Sequence, residues 1–207
     1  DLKWEESEQT DIGIDLGLTH LAITSEHEKY DNSKHYRKSQ QKLRKEQKIL
    51  SRRFEQNVKQ RIYDKDGKCI KIIFHKSLHE CKNYQKQRKK VARIHNKIKQ
   101  QRLDNLHKVS TNIVKSHDYI IVETLKVKNL MKNRKLSKSI ADVGWSMFLN
   151  MLEYKAERYG KQIIHINQWF PSSQLCSNCH HNSGKKPLNI RKWTCTNCHK
   201  IHDRDIN

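Results

Sequence analysis

The chain has 207 residues, of which 34% are hydrophobic and 31% charged, and its formal net charge is +21. This length suits one substantial domain or two small ones, and no apolar run approaches the ~20 residues of a membrane span. The acidic and polar first ten residues do not resemble a signal peptide. Six cysteines, four of them in CxxC pairs, favour a reducing, cytoplasmic location over a disulfide framework.

The first apolar segment, Asp11 to Thr24, predicts two strands joined by a turn near Gly17. Within it, Ile12, Ile14 and Leu16 alternate with smaller or polar residues, which is the period of a strand. A short third strand is expected after the turn around Ser25–Glu28.

Residues 34–117 predict a helical arm. Tyr36, Leu43 and Leu50 recur every seven residues within a helix expected over residues 34–57. Asp66-Gly67 lies between two short apolar runs and predicts a β-hairpin over residues 61–75. The pattern Ser77-Leu-His-Glu80 fits a capping box that would open a second helix running to Ser116. We expect the two helices to pack antiparallel.

Most of the net charge lies in this arm. Residues 34–102 hold 24 lysines and arginines against five acidic residues, a local excess of 19. Such a concentration is typical of a nucleic-acid-binding surface that contacts phosphates. A solvated helical face, or a patch for acidic proteins or membranes, is the alternative. The predicted nucleic-acid-binding residues are Arg52, Arg53, Arg88, Lys89, Lys90 and Arg93, and this surface suggests a nucleoid-associated protein.

The following segment alternates strands with a helix. Asp118–Glu123 is an apolar strand that ends in an acid, and a lysine-rich, helix-poor linker is expected to follow through Ser139. Apolar residues at helical spacing then run from Trp145 to Tyr159, with Gly160 as the expected C-cap. Another strand is predicted over Lys161–Ile166. This order indicates an α/β fold with a mixed sheet, in which ligand sites lie at strand ends.

Two CxxC pairs near the C-terminus predict a zinc ribbon over residues 169–202. Fifteen residues separate the pairs, and four thiolates complete a tetrahedral zinc shell. The ligands are Cys176, Cys179, Cys195 and Cys198. We expect the zinc to be mainly structural, with secondary DNA contacts from Lys185, Lys186, Arg191 and Lys192. Alternative ligands are His180, His181, His199 and His202. Core positions are expected for Trp169 and Phe170, and plain reduced thiols for Cys69 and Cys81.

Acidic residues at strand ends suggest a second metal site. Asp15 and Glu123 each end an apolar run, and Asp203 and Asp205 follow the second CxxC pair. Carboxylates that share two Mg²⁺ or Mn²⁺ ions can support phosphodiester cleavage. Asp15 could instead be a turn or cap residue, Glu123 an ion-pair partner, and the last two acids caps of a following helix.

Five segments together resemble the TnpB (OrfB) proteins of bacterial insertion sequences, which are related to the type V CRISPR effectors. The segments are Gly13-Ile-Asp-Leu-Gly-Leu, Ile121-Val-Glu-Thr-Leu-Lys-Val-Lys-Asn-Leu, Ser139-Ile-Ala-Asp-Val-Gly-Trp, Phe170-Pro-Ser-Ser-Gln-Leu-Cys-Ser-Asn-Cys and His202-Asp-Arg-Asp-Ile-Asn. The resemblance implies a RuvC-type, RNase H-like nuclease fold with an inserted zinc ribbon. Its core would comprise residues 11–33, 118–168 and 203–207.

By that resemblance, Asp15, Glu123 and Asp205 match the catalytic acids, and the four cysteines match the zinc ligands. The implied activity is RNA-guided cleavage of DNA next to a transposon end, with a guide RNA and DNA as partners. About ten residues precede the first predicted strand, and two follow Asp205. We therefore expect a fragment or a decayed copy. A nucleic-acid-binding protein without catalysis is the competing hypothesis, whereas the arm and the ribbon argue against a junction resolvase.

Overall fold

The computed structural model describes residues 10–167, 169–187 and 189–204. In chain order the elements are β1 (Asp11–Asp15), β2 (His20–Thr24), β3 (Lys29–Asp31), α1 (His35–Glu55), β4 (Val58–Tyr63), β5 (Cys69–Phe74), α2 (Lys82–Ser116), β6 (Tyr119–Glu123), α3 (Val127–Leu130), α4 (Ser137–Val143), α5 (Trp145–Tyr159), β7 (Gln162–Ile166), β8 (Lys192–Thr194) and β9 (Ile201–Asp203). They form two compact units. One is Lys34–Leu103, and the other contains the described residues before and after it.

The larger unit is built on a mixed five-stranded sheet in the order β3-β2-β1-β6-β7. Strands β1, β2 and β3 pair antiparallel, as expected for segments joined by short turns. Strands β1, β6 and β7 pair parallel, and helices lie in the connections between them. The predicted strands and the predicted mixed α/β architecture are confirmed.

The core of this unit joins the sheet to α5. Ile12, Ile120 and Val122 point to the buried face of the sheet, and Phe148 and Leu152 of α5 are fully buried. The predicted amphipathic helix is therefore confirmed. Gly160 ends α5 at a φ of 66°, a left-handed conformation that glycine adopts without the penalty of a Cβ atom.

The predicted helix-poor linker after β6 is wrong in part, because the short helices α3 and α4 lie there. Helix α4 buries Ile140 and Val143, and Gly144 follows at a φ of 78° before α5 begins. The amphipathic pattern of α4 spans only seven residues, which is too short to stand out among the surrounding lysines.

The smaller unit packs α1 against the first part of α2, with the β4–β5 hairpin between them in sequence. Gln87, near the start of α2, donates from Nε2 to the Glu46 carbonyl at 2.9 Å, and Arg53 donates from Nη1 to the Asn83 carbonyl at 2.6 Å. Later residues of α1 thus contact earlier residues of α2, which confirms the antiparallel packing.

The predicted capping box at Ser77–Glu80 is wrong. These residues form a turn, in which the Glu80 N–H bonds to the Ser77 carbonyl at 2.9 Å, and α2 begins at Lys82. The Ser77 side chain accepts from the His79 N–H at 3.4 Å and so caps this turn.

No helix among the described residues is long and apolar enough to cross a membrane.

The core positions predicted for Trp169 and Phe170 are also wrong. Trp169 is 81% exposed and Phe170 is 53% exposed. Both follow β7, the edge strand of the sheet, in a turn where the Asn167 side chain accepts from the Trp169 N–H at 2.9 Å. The turn carries the two rings away from the sheet, so their apolar character does not lead to burial.

Candidate metal centres and nucleic-acid interface

The four cysteines of the CxxC pairs form one cluster, to which the loop between β8 and β9 contributes Cys195 and Cys198. Their Sγ atoms all lie within 4.8 Å of one another, and no ligand group from outside the two pairs is needed to complete the set. The Cys176–Cys198 and Cys179–Cys195 sulfur pairs are each 3.6 Å apart. Tetrahedral Zn–S bonds of about 2.3 Å place ligand sulfurs ~3.8 Å apart, so the cluster could bind a metal such as zinc.

The two CxxC pairs adopt the same backbone turn. The His180 N–H bonds to the Cys176 carbonyl at 2.8 Å, and the His199 N–H bonds to the Cys195 carbonyl at 3.0 Å. His180 and His199 have φ angles of 56° and 58°. Each turn thus reverses the chain directly after its second cysteine and points two sulfurs to one side. Both histidines are exposed, so they serve these turns rather than the cluster.

The electrostatics of the cluster suit a cation. Hydrogen bonds from the Cys198 and Asn197 backbone N–H groups outweigh burial and lower the pKa of Cys195 to about 5. Burial raises the pKa of Cys176 to about 11. A metal ion that binds here must displace the Cys176 proton, so metal affinity should fall as the pH falls.

His202 supports the cluster from its buried side. Its Nε2 atom lies 3.0 Å from the Cys176 Sγ, and its ring lies 4.7 Å from the Trp193 ring. Trp193 forms a small apolar core with Cys176 and Cys195. Since four sulfurs already fill a tetrahedron, the geometry fits a histidine that hydrogen-bonds a ligand sulfur better than a fifth ligand.

The sheet brings Asp15 and Glu123 together. Ile14 of β1 is the register partner of Val122 of β6, and the next residues along these parallel strands are Asp15 and Glu123. Both acids project from the face opposite the buried Ile14 and Val122, because side chains alternate along a strand. They line one cavity of about 320 Å³, together with Ser25, Ser172, Ser173 and Arg204 among others.

The two acids influence each other. Burial, with the nearby Asp15 charge, raises the pKa of Glu123 above its usual range. Two half-buried carboxylates on neighbouring strands repel each other, and oxygen ligands are those that Mg²⁺ and Mn²⁺ prefer. This arrangement is therefore suited to binding a hard divalent cation.

The third predicted catalytic acid, Asp205, lies outside the described residues. Its neighbours Asp203 and Arg204 are described at the end of β9. Asp203 lines a second cavity, of about 410 Å³, that also contains Asp15 and Arg191. Arg204 lines the first cavity beside Asp15 and Glu123. The segment that leads to Asp205 thus ends at the two cavities that share Asp15.

The predicted nucleic-acid-binding residues of the arm differ in exposure. Most are exposed on α1 and α2: Arg52, Arg88, Lys89, Lys90 and Arg93. Arg53 is half-buried, and its guanidinium contacts Asn83 and Gln87. Its replacement would therefore disturb the contact between the helices as well as the charge of the surface.

The two cysteines outside the CxxC pairs are Cys69 and Cys81. Cys69 is exposed and Cys81 is half-buried, and both are free thiols.

Sequence reasoning missed the cavity residues Ser172, Ser173 and Arg204. Small hydroxyl residues and a single arginine carry no spacing signal of their own. The repeated pattern Cys-Ser/Thr-Asn-Cys-His at residues 176–180 and 195–199 was the available signal for the paired turns.

Comparison with known proteins agrees with this architecture. Residues 2–134 match the family model OrfB_IS605, described as "Probable transposase", and residues 145–207 match the Cas12f1-like TNB domain. A "Putative RNA-guided DNA endonuclease" of Streptomyces pristinaespiralis is 40% identical over 196 residues, which cover 95% of this chain and 42% of the relative.

Two further relatives are more distant. InsQ of Escherichia coli K12, also named a "Putative RNA-guided DNA endonuclease", is 29% identical over 95% of this chain and 46% of its own length. The TnpB-like protein L79 of Acanthamoeba polyphaga mimivirus is 26% identical over 73% of this chain and 30% of its own length. The chain thus spans less than half the length of these relatives. Since one family model covers residues 2–134, which is more than half of the chain, the chain belongs to the OrfB (TnpB-like) family.

Proposed function

We propose that this chain is part of a metal-dependent, RNA-guided DNA endonuclease of the RuvC type. The observation that carries the proposal is the placement of Asp15 and Glu123 on register-matched ends of parallel strands, in one cavity. The mixed sheet is compatible with an RNase H-like nuclease core, and the names of the relatives support the RNA-guided activity on DNA.

In the proposed mechanism, Asp15 and Glu123 hold divalent cations together with Asp205. Bound Mg²⁺ or Mn²⁺ would supply an activated water and stabilise the leaving oxygen of the phosphodiester. The raised pKa of Glu123 means that its proton must leave before it serves as a ligand. Activity should therefore be lost towards acidic pH, because protons compete with metal for this carboxylate.

The cysteine cluster has a different proposed role. Its sulfur spacing and fully buried Cys176 and Cys195 fit a closed structural zinc site, in which no position stays open for substrate. Zinc would fix the β8–β9 hairpin and hence the chain that leads to Asp205. DNA contacts from Lys185, Arg191 and Lys192 are a secondary proposal, from which Lys186 is left out because its Nζ donates to the Ser173 and Gly184 carbonyls.

The arm, residues 34–117, is the proposed nucleic-acid-binding surface. Its exposed cations follow the outer faces of two helices and would contact phosphates of DNA or of the guide RNA. The same surface supports a second candidate function, nucleic-acid binding without cleavage. The two candidate functions differ in the role of the acid cavity. A nuclease needs Asp15 and Glu123 for cleavage, whereas a protein that only binds nucleic acid does not.

The deciding experiment is cleavage of labelled target DNA by the protein from the complete reading frame, with its guide RNA and Mg²⁺. The variants are Asp15→Asn, Glu123→Gln and Asp205→Asn, with Asp203→Asn as the matched control. Each of the first three should lower the cleavage rate at least ~10³-fold, or about 4 kcal/mol of transition-state stabilisation, while nucleic-acid binding persists.

Asp203→Asn should cut at more than a tenth of the parent rate. If Asp203→Asn is inactive while Asp205→Asn cuts normally, the third acid is misassigned. If all four variants cut like the parent, the nuclease proposal fails. If the parent binds guide and target but never cuts, the binding function takes its place.

A further inference from the structure

Arg204 is held in a fixed position at the rim of the acid cavity. Its backbone N–H bonds to the Arg191 carbonyl at 2.7 Å, which extends the β8–β9 ladder by one step beyond the Lys192–Asp203 pair. Its Nη1 donates to the Pro187 carbonyl at 2.7 Å and to the Lys186 carbonyl at 3.4 Å. The backbone and the side chain of Arg204 are therefore both anchored to the segment between the two CxxC pairs, residues 180–194.

The anchoring leaves much of the guanidinium unused. A guanidinium has five N–H donors in a planar fork, and the two side-chain hydrogen bonds of Arg204 among the described residues both come from Nη1. Nε and Nη2 carry the remaining donors. The residue itself lines the same cavity as Asp15 and Glu123.

A phosphate is the group that this surface fits. Carboxylates alone repel a phosphodiester, and a guanidinium that lines the same cavity favours its binding. A guanidinium held by two carbonyls loses little entropy on binding and can pair two phosphate oxygens with parallel N–H donors. Ser172 and Ser173, which line the same cavity, add short polar groups of matching character.

We propose that Arg204 binds the phosphate of the substrate strand at the acid cavity. This inference rests on the proposed nuclease function and adds a residue to it. It assigns to Arg204 a direct contact with substrate rather than a role in the fold of the hairpin.

Lys186 is the matched control, since it is a cation near Arg204 whose Nζ contacts groups within the same cysteine-bearing segment. Its Nζ donates to the Ser173 and Gly184 carbonyls at 3.3 and 3.2 Å and lies 3.6 Å from the centre of the Trp193 ring. It is not among the residues that line the acid cavity. Replacing Lys186 removes the same charge as replacing Arg204, and it also removes two side-chain hydrogen bonds to carbonyl groups.

The test titrates the zinc-loaded chain with the tetranucleotide dT4 in Ca²⁺, which takes oxygen ligands in a looser geometry than Mg²⁺. Nitrogen-15 NMR follows each arginine Nε–H signal, and the signal lost in Arg204→Lys identifies Arg204. We expect this signal to shift in step with binding. Fluorescence titration should show affinity for dT4 falling about tenfold in Arg204→Gln and less than threefold in Lys186→Gln, with zinc content unchanged in both.

Three results would overturn the proposal: an unshifted Arg204 signal at saturation, equal losses in the two Gln variants, or a parent chain that does not bind dT4. DNA cleavage by Glu123→Gln and Arg204→Gln separates the role of Arg204 from the nuclease function. If Glu123→Gln is inactive and Arg204→Gln cuts like the parent, the role of Arg204 is rejected and the nuclease function is kept.

Discussion

Glu123→Gln should make the metal-free protein more stable at neutral pH, although it removes a proposed metal ligand. Asp15 and Glu123 follow the register pair Ile14–Val122 on adjacent strands, which are about 4.8 Å apart. Two unit charges roughly 5–6 Å apart repel by about 1.5–3 kcal/mol at an effective dielectric constant of 20–40. Both carboxylates are half-exposed, so we expect about 1–2 kcal/mol of relief.

The pH dependence of this effect follows from the raised pKa of Glu123 in the folded state. Between its unfolded pKa of about 4.3 and its folded pKa, the folded protein binds more protons than the unfolded chain, so stability falls as the pH rises. The destabilisation is complete above the folded pKa and absent below about pH 4. The advantage of Glu123→Gln should therefore vanish in acid.

Urea denaturation with and without Mg²⁺, from pH 4 to 8, measures both effects. At a Mg²⁺ concentration 100 times its Kd, the parent should gain about 2.7 kcal/mol of stability, whereas Glu123→Gln should gain much less. The control is Glu157→Gln, an exposed carboxylate on α5, which should change stability by less than ~0.5 kcal/mol at every pH. A Glu123→Gln variant that is less stable than the parent without metal, or equally stabilised by Mg²⁺, refutes this account of the cavity.

Three further outcomes are expected. Purified protein should contain about one zinc per chain by elemental analysis, and Cys176→Ser should lose it because one of the four cluster sulfurs is removed; a folded, metal-free parent would contradict this. Converting four exposed arm cations to Gln should flatten the slope of log affinity against log salt by roughly 3, since each phosphate contact contributes ~0.7–0.9; an unchanged slope rejects the arm. These cations are Arg88, Lys89, Lys90 and Arg93. Gln87→Leu should lower the free energy of unfolding by about 1–3 kcal/mol in urea titrations, because Gln87 is 1% exposed and bonds Glu46; a neutral effect would show that this contact is dispensable.

The sequence predicted those parts of the fold that depend on local periodicity. Ile12 and Ile14 alternate at period two and form β1, and the apolar stripe from Trp145 to Tyr159 forms α5. Prediction from the sequence failed where the local pattern was right but the tertiary structure placed the residue in a turn. Ser77 has the right spacing from Glu80 for a capping box, but its side chain closes a turn instead. Trp169 is apolar, but it follows an edge strand in an exposed turn.

The acid cavity shows the limit of sequence reasoning more clearly. That Asp15 and Glu123 each end a strand could be predicted, but their adjacency depends on β1 pairing with β6, which lies more than 100 residues away. Parallel pairing at this distance has no local signature, since it is decided by the packing of α5 and the sheet as a whole. Arg204 was missed for the same reason, because its significance comes from the cavity it lines.

The position of the cysteine cluster gives a physical reason for a structural metal in this fold. β8 and β9 each have three residues, and an isolated two-stranded hairpin is at best marginally stable in water. Four sulfurs around one ion would add the stability that so short a ladder lacks. The ladder ends with the Arg191–Arg204 hydrogen bond, and Asp203 and Arg204 line the two cavities that share Asp15. A metal that fixes the hairpin therefore also fixes Asp203 and Arg204 at the rim of the acid cavity. Zinc removal should therefore loosen the positions of these two residues, even though no cysteine lines the cavity.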